Sequence, residues 1–329
     1  MKRIPAAEFW RKIENNEMAE LDCLPEGLTL LENVTYRVTK QSLSRPPAGP
    51  HDGSDEPRGP GRDAESGRAA KERPLRLDAY VSEPTPTKPR PAILFLHGGG
   101  WLGGSKKQFA RQAAYLASKH GFFAVCSEYR FSNEARFPAC LQDARCAVKW
   151  IRAQALDYNI DAERVAAAGG SAGGHLAAML ATTADVDDYI PADCDPGYAD
   201  QPAHVNLCIP HNPPLDLVAL AEKGEAARPL RELLGGSLAD MPDAYRQASP
   251  FHRADRKTPP TLFLHGAADT TIPSGQSVAL HEKLLSLGVH SELELYPGKG
   301  HGWFNRAPDF AKVLKRMETF LVERGGATE

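Results

Sequence analysis

The sequence has no long apolar run. Ala92 to Leu96 is typical of its longest, far short of the ~20 residues that cross a bilayer as a helix, so no membrane span is expected. It has little net charge: 39 Lys and Arg against 42 Asp and Glu leave −3. Its pI is near 6.4, which gives neither the basic footprint of a nucleic-acid binder nor an acidic tail. It has few cysteines, six in 329 residues, and none in C-x-x-C spacing, which excludes a disulfide scaffold and a zinc module. Cys126 and Cys208 lie in apolar strand-like runs and read as small buried hydrophobes, and none of the six (with Cys23, Cys140, Cys146 and Cys194) is given a special role. No His, Asp or Glu cluster has metal-ligand spacing, so no metal and no other cofactor is expected. Internal repeats are missing as well. The first residues, Met-Lys-Arg-Ile-Pro-Ala-Ala-Glu-Phe-Trp, are amphipathic and charged rather than an apolar signal core. A cytoplasmic chain is the expectation, or a secreted one if a leader was removed.

What is present is an ordinary globular composition, 42% hydrophobic and 25% charged, enough for a sizeable core. Short β-branched and aromatic runs alternate with helical patterns, as a mostly parallel sheet requires. The strand candidates are Val34–Thr39, Leu75–Val81, Ala92–Leu96, Phe122–Glu128, Arg164–Ala168, Val205–Ile209, Thr261–Leu264 and Glu292–Tyr296. Pro138 opens a helix with Leu141, Ala144, Val148 and Ile151 on one face. The last helix buries Phe310, Val313, Leu314, Met317, Phe320 and Leu321 and turns Lys312, Lys315, Arg316 and Glu318 to water. The fold class is α/β: eight strands, mostly parallel, with helices on both faces. Residues 1–28 read as an N-terminal helical segment and 29–329 as one catalytic domain. Two insertions break the rhythm. Ser44–Pro74 is dense in Pro, Gly and charge and reads as a mobile loop. Thr183–Ala203, acidic and irregular, reads as a cap-like insertion that overhangs the carboxyl edge of the sheet.

Gly169-Gly170-Ser171-Ala172-Gly173-Gly174 matches G-x-S-x-G between a strand and a helix, the setting in which a serine is exposed at a sharp turn. His97-Gly98-Gly99-Gly100-Trp101 closes the strand Ala92–Leu96. Consecutive glycines there let backbone N–H groups approach a developing oxyanion, so Gly99, Gly100 and Ala172 are its expected donors. A serine needs a histidine to take its proton, and the histidine needs an acid to orient it. His301 lies in a glycine-flanked loop after Glu292–Tyr296, and Asp269 follows the strand Thr261–Leu264. The order Ser171, Asp269, His301 on three loops after late strands fits an α/β-hydrolase and neither common protease order. A neutral His301 is the base, so activity should rise with pH across the range in which a histidine loses its proton. Trp101 and Trp303 are candidate walls of the substrate pocket, or supports of their loops. His175 reads as a packing or capping group, His97 and His265 as strand ends bonded to loop backbone, and His281 and His290 as solvent-facing. His204 and His211 flank the strand Val205–Ile209, and His211 is a further candidate to approach the cleft.

His97-Gly98-Gly99-Gly100-Trp101 together with Gly170-Ser171-Ala172-Gly173-Gly174 resembles the α/β-hydrolase esterases that carry an HGGG oxyanion motif. Tyr129-Arg130-Phe131-Ser132, Phe137-Pro138-Ala139 and Asp143 are similar to the same group. The hormone-sensitive-lipase-like branch usually has Asp before the nucleophile; Gly170 here favours the bacterial carbohydrate esterases of the feruloyl and acetyl-xylan esterase type. The resemblance runs from about Thr29 to Val322, apart from the Ser44–Pro74 insertion; Thr183–Ala203 and the N-terminal segment do not match clearly. It implies a serine carboxylesterase forming an acyl-enzyme, with a small-molecule or carbohydrate ester as partner and no nucleic acid or membrane. Two other readings use the same residues. An amidase of the arylformamidase type would turn over N-formylkynurenine faster than a simple ester, and a silent hydrolase fold would bind a small molecule without turnover.

Overall fold

The computed structural model describes residues 1–40, 72–186, 189–191 and 193–325. The chain begins with β1 (Lys2–Ile4), α1 (Ala6–Glu14), β2 (Cys23–Pro25), β3 (Leu28–Lys40), β4 (Glu72–Ser82) and β5 (Arg90–Leu96). It continues through α2 (Ala110–His120), β6 (Phe123–Ser127), α3 (Ala139–Ala153), α4 (Ala155–Tyr158), β7 (Ile160–Gly170) and α5 (Ala172–Thr182). After β8 (Leu207–His211) come α6 (Leu217–Glu222), α7 (Ala227–Leu234), α8 (Pro242–Gln247) and α9 (Pro250–Arg253). The last elements are β9 (Thr261–Gly266), α10 (Gly275–Ser286), β10 (Ser291–Tyr296) and α11 (Asp309–Gly325).

Eight strands form one sheet in the order β10-β9-β8-β7-β5-β6-β4-β3, each on a run expected to be a strand. Only β4 runs against the rest, antiparallel to both of its neighbours β3 and β6; from β6 to β10 neighbours are parallel. This is the α/β-hydrolase fold. Strand β5 sits between β6 and β7, so the chain leaves β5 to one side and returns on the other. That reversal opens a crevice at the carboxyl ends of β5 and β7. The register there pairs Leu96 with Gly169, which puts the His97–Trp101 loop beside Ser171. Strand β5 is buried along its whole length, as a parallel strand covered on both faces must be. Among the described residues no helix is long and apolar enough to cross a membrane.

Helix α3 buries Leu141, Ala144, Val148 and Ile151 as its periodicity requires. Helix α11 buries its six expected apolar residues but also Glu318, which the pattern assigned to water. Its Oε1 lies 2.5 Å from His120 Nε2 and its Oε2 2.8 Å from Lys315 Nζ. A helical wheel ranks a carboxylate by polarity and cannot register a partner such as His120, supplied by α2.

Three further differences concern the segments outside the core pattern. Residues 1–28 hold a single helix, α1, and add a two-stranded parallel sheet of β1 and β2. Phe9 and Ile13 of α1 are buried in one cluster with Tyr115, Phe310 and Leu314, so the segment is packed on the domain. Of the Ser44–Pro74 segment, residues up to 71 lie outside the described residues, and Glu72 to Pro74 already belong to β4. The described part of Thr183–Ala203 packs on the start of α3 and the end of α8, and none of it lines the cavity at Ser171. Tyr189 packs on Phe137 with ring centroids 5.5 Å apart and donates to Gln247 O at 3.1 Å, while Asp193 pairs with Arg37.

The same segment corrects the cysteine reading. Cys23, Cys126, Cys140 and Cys208 are free and buried, but Cys146 of α3 is disulfide-bonded to Cys194, with Cα atoms 5.9 Å apart across 48 residues of sequence. Sequence spacing carries no sign of this pair, because the packing of the insertion on α3 is what brings it together. Cys194→Ser should lower unfolding stability by about 2–4 kcal/mol, through the entropy returned to the unfolded chain. Ester turnover should be unaffected, because no described residue of the insertion lines the cavity at Ser171; urea titration with and without reductant, alongside p-nitrophenyl acetate turnover, checks both.

Candidate active site

Ser171 stands between β7 and α5 with φ +53° and ψ −118°, a conformation a non-glycine residue adopts only when its surroundings impose it. Two glycines make the turn possible. A Cβ on Gly169 would lie 2.4 Å from Gly173 O, and one on Gly173 would lie 2.1 Å from Leu96 O. The turn is held from below by Ser171 N–H donating to His211 O at 2.8 Å. Gly170 has a separate reason to lack a side chain: the Phe304 ring comes within 2.4 Å of where its Cβ would stand.

The three residues placed by sequence meet. Ser171 Oγ lies 2.9 Å from His301 Nε2, and His301 Nδ1 lies 2.7 Å from Asp269 Oδ2. Asp269 Oδ1 accepts from the N–H groups of Thr271 (2.9 Å) and Ile272 (3.0 Å). Burial works to raise the Asp269 carboxyl, but hydrogen bonds from His265, His301 and Ile272 N–H outweigh it and hold the group well below the usual carboxylate range. Asp269 is therefore ionised wherever the protein is folded near neutral pH, and an ionised acceptor at Nδ1 keeps that proton off Nε2.

The HGGGW loop lies alongside. Gly99 and Gly100 both have positive φ, +130° and +61°. Gly98 N–H donates to Gln108 Oε1 at 2.7 Å. Among the described residues the N–H groups of Gly99, Gly100 and Ala172 make no hydrogen bond, and all three residues line the cavity at Ser171. Ala172 is also the first residue of α5, whose N-terminal end favours negative charge. Tyr129 donates to His97 O at 2.8 Å, and Ser132 donates to Trp101 O through its backbone N–H (2.8 Å) and its hydroxyl (3.1 Å). The Tyr129–Ser132 motif thus braces the loop, while Arg130 Nε bonds buried Asp143 at 2.9 Å.

The cavity measures about 290 Å³ and is roofed by Pro214, Ala226, Pro229 and Ile272. The roof therefore comes from the segment after β8, the start of α7 and the loop after β9, and no described residue of Thr183–Ala203 contributes to it. Trp101 lines it, but its indole is buried and donates to His175 Nδ1 at 3.3 Å. Trp303 does not line it: the indole is buried and donates to Asn212 Oδ1 at 3.1 Å, which makes Trp303 a support of its loop.

Asn212 is the residue that sequence reasoning missed. It follows β8 with φ +46° and donates through Nδ2 to Asp269 Oδ2 at 2.7 Å. His211, considered instead, is buried beneath the Ser171 turn with Nδ1 on Gly169 O at 3.1 Å. The available signal was an Asn before a Pro-Pro pair at a strand end, a residue type that tolerates positive φ. A hydrogen bond to a charged group contributes about 1.5–3 kcal/mol, so Asn212→Ala should lower kcat about 10- to 100-fold. KM should change little; steady-state kinetics on a soluble ester checks the split.

Three histidines around the site are buried and outside the Ser171–His301–Asp269 hydrogen-bond chain. Burial pushes His97, His175 and His211 each down to about 4. Their neutral form is the one the fold accepts, so their contribution is complete above the unfolded-state value of ~6.5 and is lost as pH falls from there towards about 4. Unfolding free energy should drop between pH ~7 and ~5 by on the order of 2 kcal/mol per histidine. Urea midpoints at the two pH values measure it, and an unchanged midpoint would contradict the buried neutral assignment.

Residues 77–284 of the sequence match the BD-FAE family. The chain belongs to that family. Among curated relatives, the esterase LipC of Mycobacterium tuberculosis is 31% identical over 230 residues, covering 69% of this chain and 56% of LipC. This BD-FAE chain spans about half the length of the curated relatives it matches. Among solved structures, the propionate-bound thermophilic esterase Est2 of the planctomycete Thermogutta terrifontis is 32% identical with a TM-score of 0.65, covering 77% of this chain and 92% of that one. A truncated carbohydrate esterase from gut microbiota, 24% identical, shares the fold with a TM-score of 0.68 over 91% of this chain and 96% of its own.

Proposed function

We propose that this BD-FAE chain is a serine carboxylic-ester hydrolase that acts through an acyl-enzyme on short-chain esters, acetyl groups on carbohydrates among them. The observation that carries the reading is the unbroken relay from Ser171 Oγ through His301 to Asp269, at 2.9 and 2.7 Å. Ser171 Oγ attacks the ester carbonyl as its proton passes to His301 Nε2. The tetrahedral oxyanion then lies against the N–H groups of Gly99, Gly100 and Ala172, each worth about 2.7–4 kcal/mol to the transition state in comparable sites. His301 returns the proton to the alcohol oxygen and the alcohol leaves; water then attacks the acyl carbonyl as its proton passes to His301, the Ser171 Oγ–acyl bond breaks, the carboxylic acid leaves, and His301 returns the proton to Oγ.

The acyl group is argued from space. A cavity of about 290 Å³ stands at the lower end of small-molecule sites, ~300–1,000 Å³, and its roof of prolines, alanine and isoleucine suits a short alkyl chain better than a feruloyl ring. Est2 is known with propionate bound. The test is p-nitrophenyl acetate, butyrate and palmitate at about pH 7.5, with mass spectrometry after a fluorophosphonate. Turnover falling from the short esters to palmitate, with the adduct on the Ser171 peptide, is expected. Absence of turnover together with absence of a Ser171 adduct would overturn the reading.

A further inference from the structure

Between β8 and α6 the chain runs Asn212-Pro213-Pro214-Leu215-Asp216, and Pro214 roofs the cavity at Ser171. Two consecutive prolines have no N–H to give, so this stretch has few ways to be tied down. Asn212 N–H reaches Leu264 O at 3.0 Å. The next two N–H groups, of Leu215 and Asp216, both donate to one side-chain atom, Gln276 Oε1, at 2.8 and 2.6 Å. We propose that Gln276 is a positioning residue that sets the acyl length the site accepts, by holding the roof down at Pro214. The proposal rests on the reading of Ser171 as the nucleophile of a short-chain esterase.

The place of Gln276 makes the clamp effective. It lies in the first turn of α10, shortly after Ile272, a second roof residue that comes from the loop after β9. Ile272 N–H is itself fixed on Asp269 Oδ1 at 3.0 Å. One amide oxygen therefore joins two parts of the roof that arise from different strand ends. The α7 side of the roof has its own support. A Cβ on Gly100 would stand 3.7 Å from the Pro229 ring, so Pro229 rests against the oxyanion loop.

Planarity carries the effect from the clamp to the roof. Leu215 N–H belongs to the same rigid peptide unit as the Pro214 carbonyl, so its bond to Gln276 fixes the proline directly. Leu215 is fully buried, and a buried donor left without an acceptor is costly. Without the Gln276 oxygen that peptide must turn towards another acceptor or water, and Pro214 moves with it. The neighbouring anchors survive. Leu215 O accepts from Phe251 N–H and Leu217 N–H donates to Ser249 Oγ, each at 2.9 Å, so α6 stays in place. Asn212 likewise keeps its bonds to Leu264 O and Asp269. What changes is the room under Pro214 in a cavity of about 290 Å³. A hydrophobic pocket discriminates ~10–200-fold per methylene, so a small displacement decides which acyl chains fit. Gln276 Nε2 makes no hydrogen bond among the described residues, which leaves the role to the oxygen.

The experiment measures kcat/KM for p-nitrophenyl acetate, butyrate and octanoate in wild type and in Gln276→Met, Gln276→Asn and Gln276→Glu. Methionine removes the oxygen and asparagine withdraws it by one methylene, so both should raise the octanoate-to-acetate ratio about tenfold or more. Glutamate offers an oxygen at the same reach, and its ratio should stay within about threefold of wild type. Pro214→Ala, which trims the roof with the clamp intact, should shift the ratio in the same direction as methionine. Destabilisation alone cannot give this result, since a loosened fold loses both substrates together. Ethyl and hexyl acetate, which lengthen the alcohol instead, should keep the wild-type ratio in every variant. An unshifted acyl ratio in Gln276→Met and Gln276→Asn, or in Pro214→Ala, would overturn the proposal while leaving Ser171 as nucleophile. A shift shared by Gln276→Glu, or one confined to the alcohol series, would do the same. Failure of wild type to hydrolyse any of the esters would overturn the catalytic reading and the proposal with it.

Discussion

Ser171→Ala should reduce kcat on p-nitrophenyl acetate by at least about 10³-fold, with wild-type turnover unchanged by EDTA. The size of the effect comes from what remains. The N–H groups of Gly99, Gly100 and Ala172 and the cavity itself survive the substitution, and such a remnant still accelerates hydrolysis ~10³–10⁴-fold over water in related triads. Loss of the hydroxyl removes the covalent route but not the fold. Alanine occupies the same backbone conformation at φ +53°, and the lost hydrogen bond to His301 is worth only about 1 kcal/mol. The melting temperature should therefore move little while the fluorophosphonate adduct disappears. Resistance to the chelator is expected because the polarising groups at the carbonyl are backbone N–H donors. A mutant that keeps more than about a tenth of wild-type activity would mean that the nucleophile is a different group.

The difference between what the sequence disclosed and what it withheld has a physical origin. Strands and elbow were legible because they are local: an apolar run ending in Gly-Gly-Ser-Ala-Gly-Gly states both its pairing and its turn. His301 and Asp269 were legible because each stands in a loop just past a strand end, and parallel strands bring those ends to one edge. Contacts between distant segments were not legible in this way. Asn212 reads as an unremarkable loop amide until β9 places Asp269 against it. Cys146 and Cys194 look like two more buried cysteines until the 183–203 insertion lies on α3. Irregular composition reveals a loop but not where it goes: the described roof comes from the stretch holding Pro214 and Pro229, and no described residue of the 183–203 insertion joins it. The Trp pair shows the same limit, since aromatic identity at a loop suits a pocket wall and a buried strut equally well, and only the partner of Trp303 decides between them.

Asp269→Asn should lower kcat about 10⁴-fold, and the hydrogen bonds explain why so small a change has so large an effect. Asp269 Oδ1 faces two backbone donors, Thr271 and Ile272, at 2.9 and 3.0 Å. An asparagine must therefore place its carbonyl oxygen there, which puts its amide nitrogen at the former Oδ2 position, 2.7 Å from His301 Nδ1. That nitrogen can only donate, so Nδ1 must accept and the imidazole proton moves to Nε2. A protonated Nε2 facing Ser171 Oγ across 2.9 Å cannot take the hydroxyl proton. The ring keeps its place but presents the wrong tautomer. The same nitrogen also meets Asn212 Nδ2, donor against donor, at 2.7 Å, so Asn212 must shift or lose its bond. Asn212→Asp in the Asp269→Asn background would restore an acceptor for that nitrogen without restoring the tautomer. The double variant should therefore regain stability and remain inactive. Recovery of activity in the double variant would mean that negative charge near His301, rather than the tautomer that Asp269 enforces, is what the reaction requires.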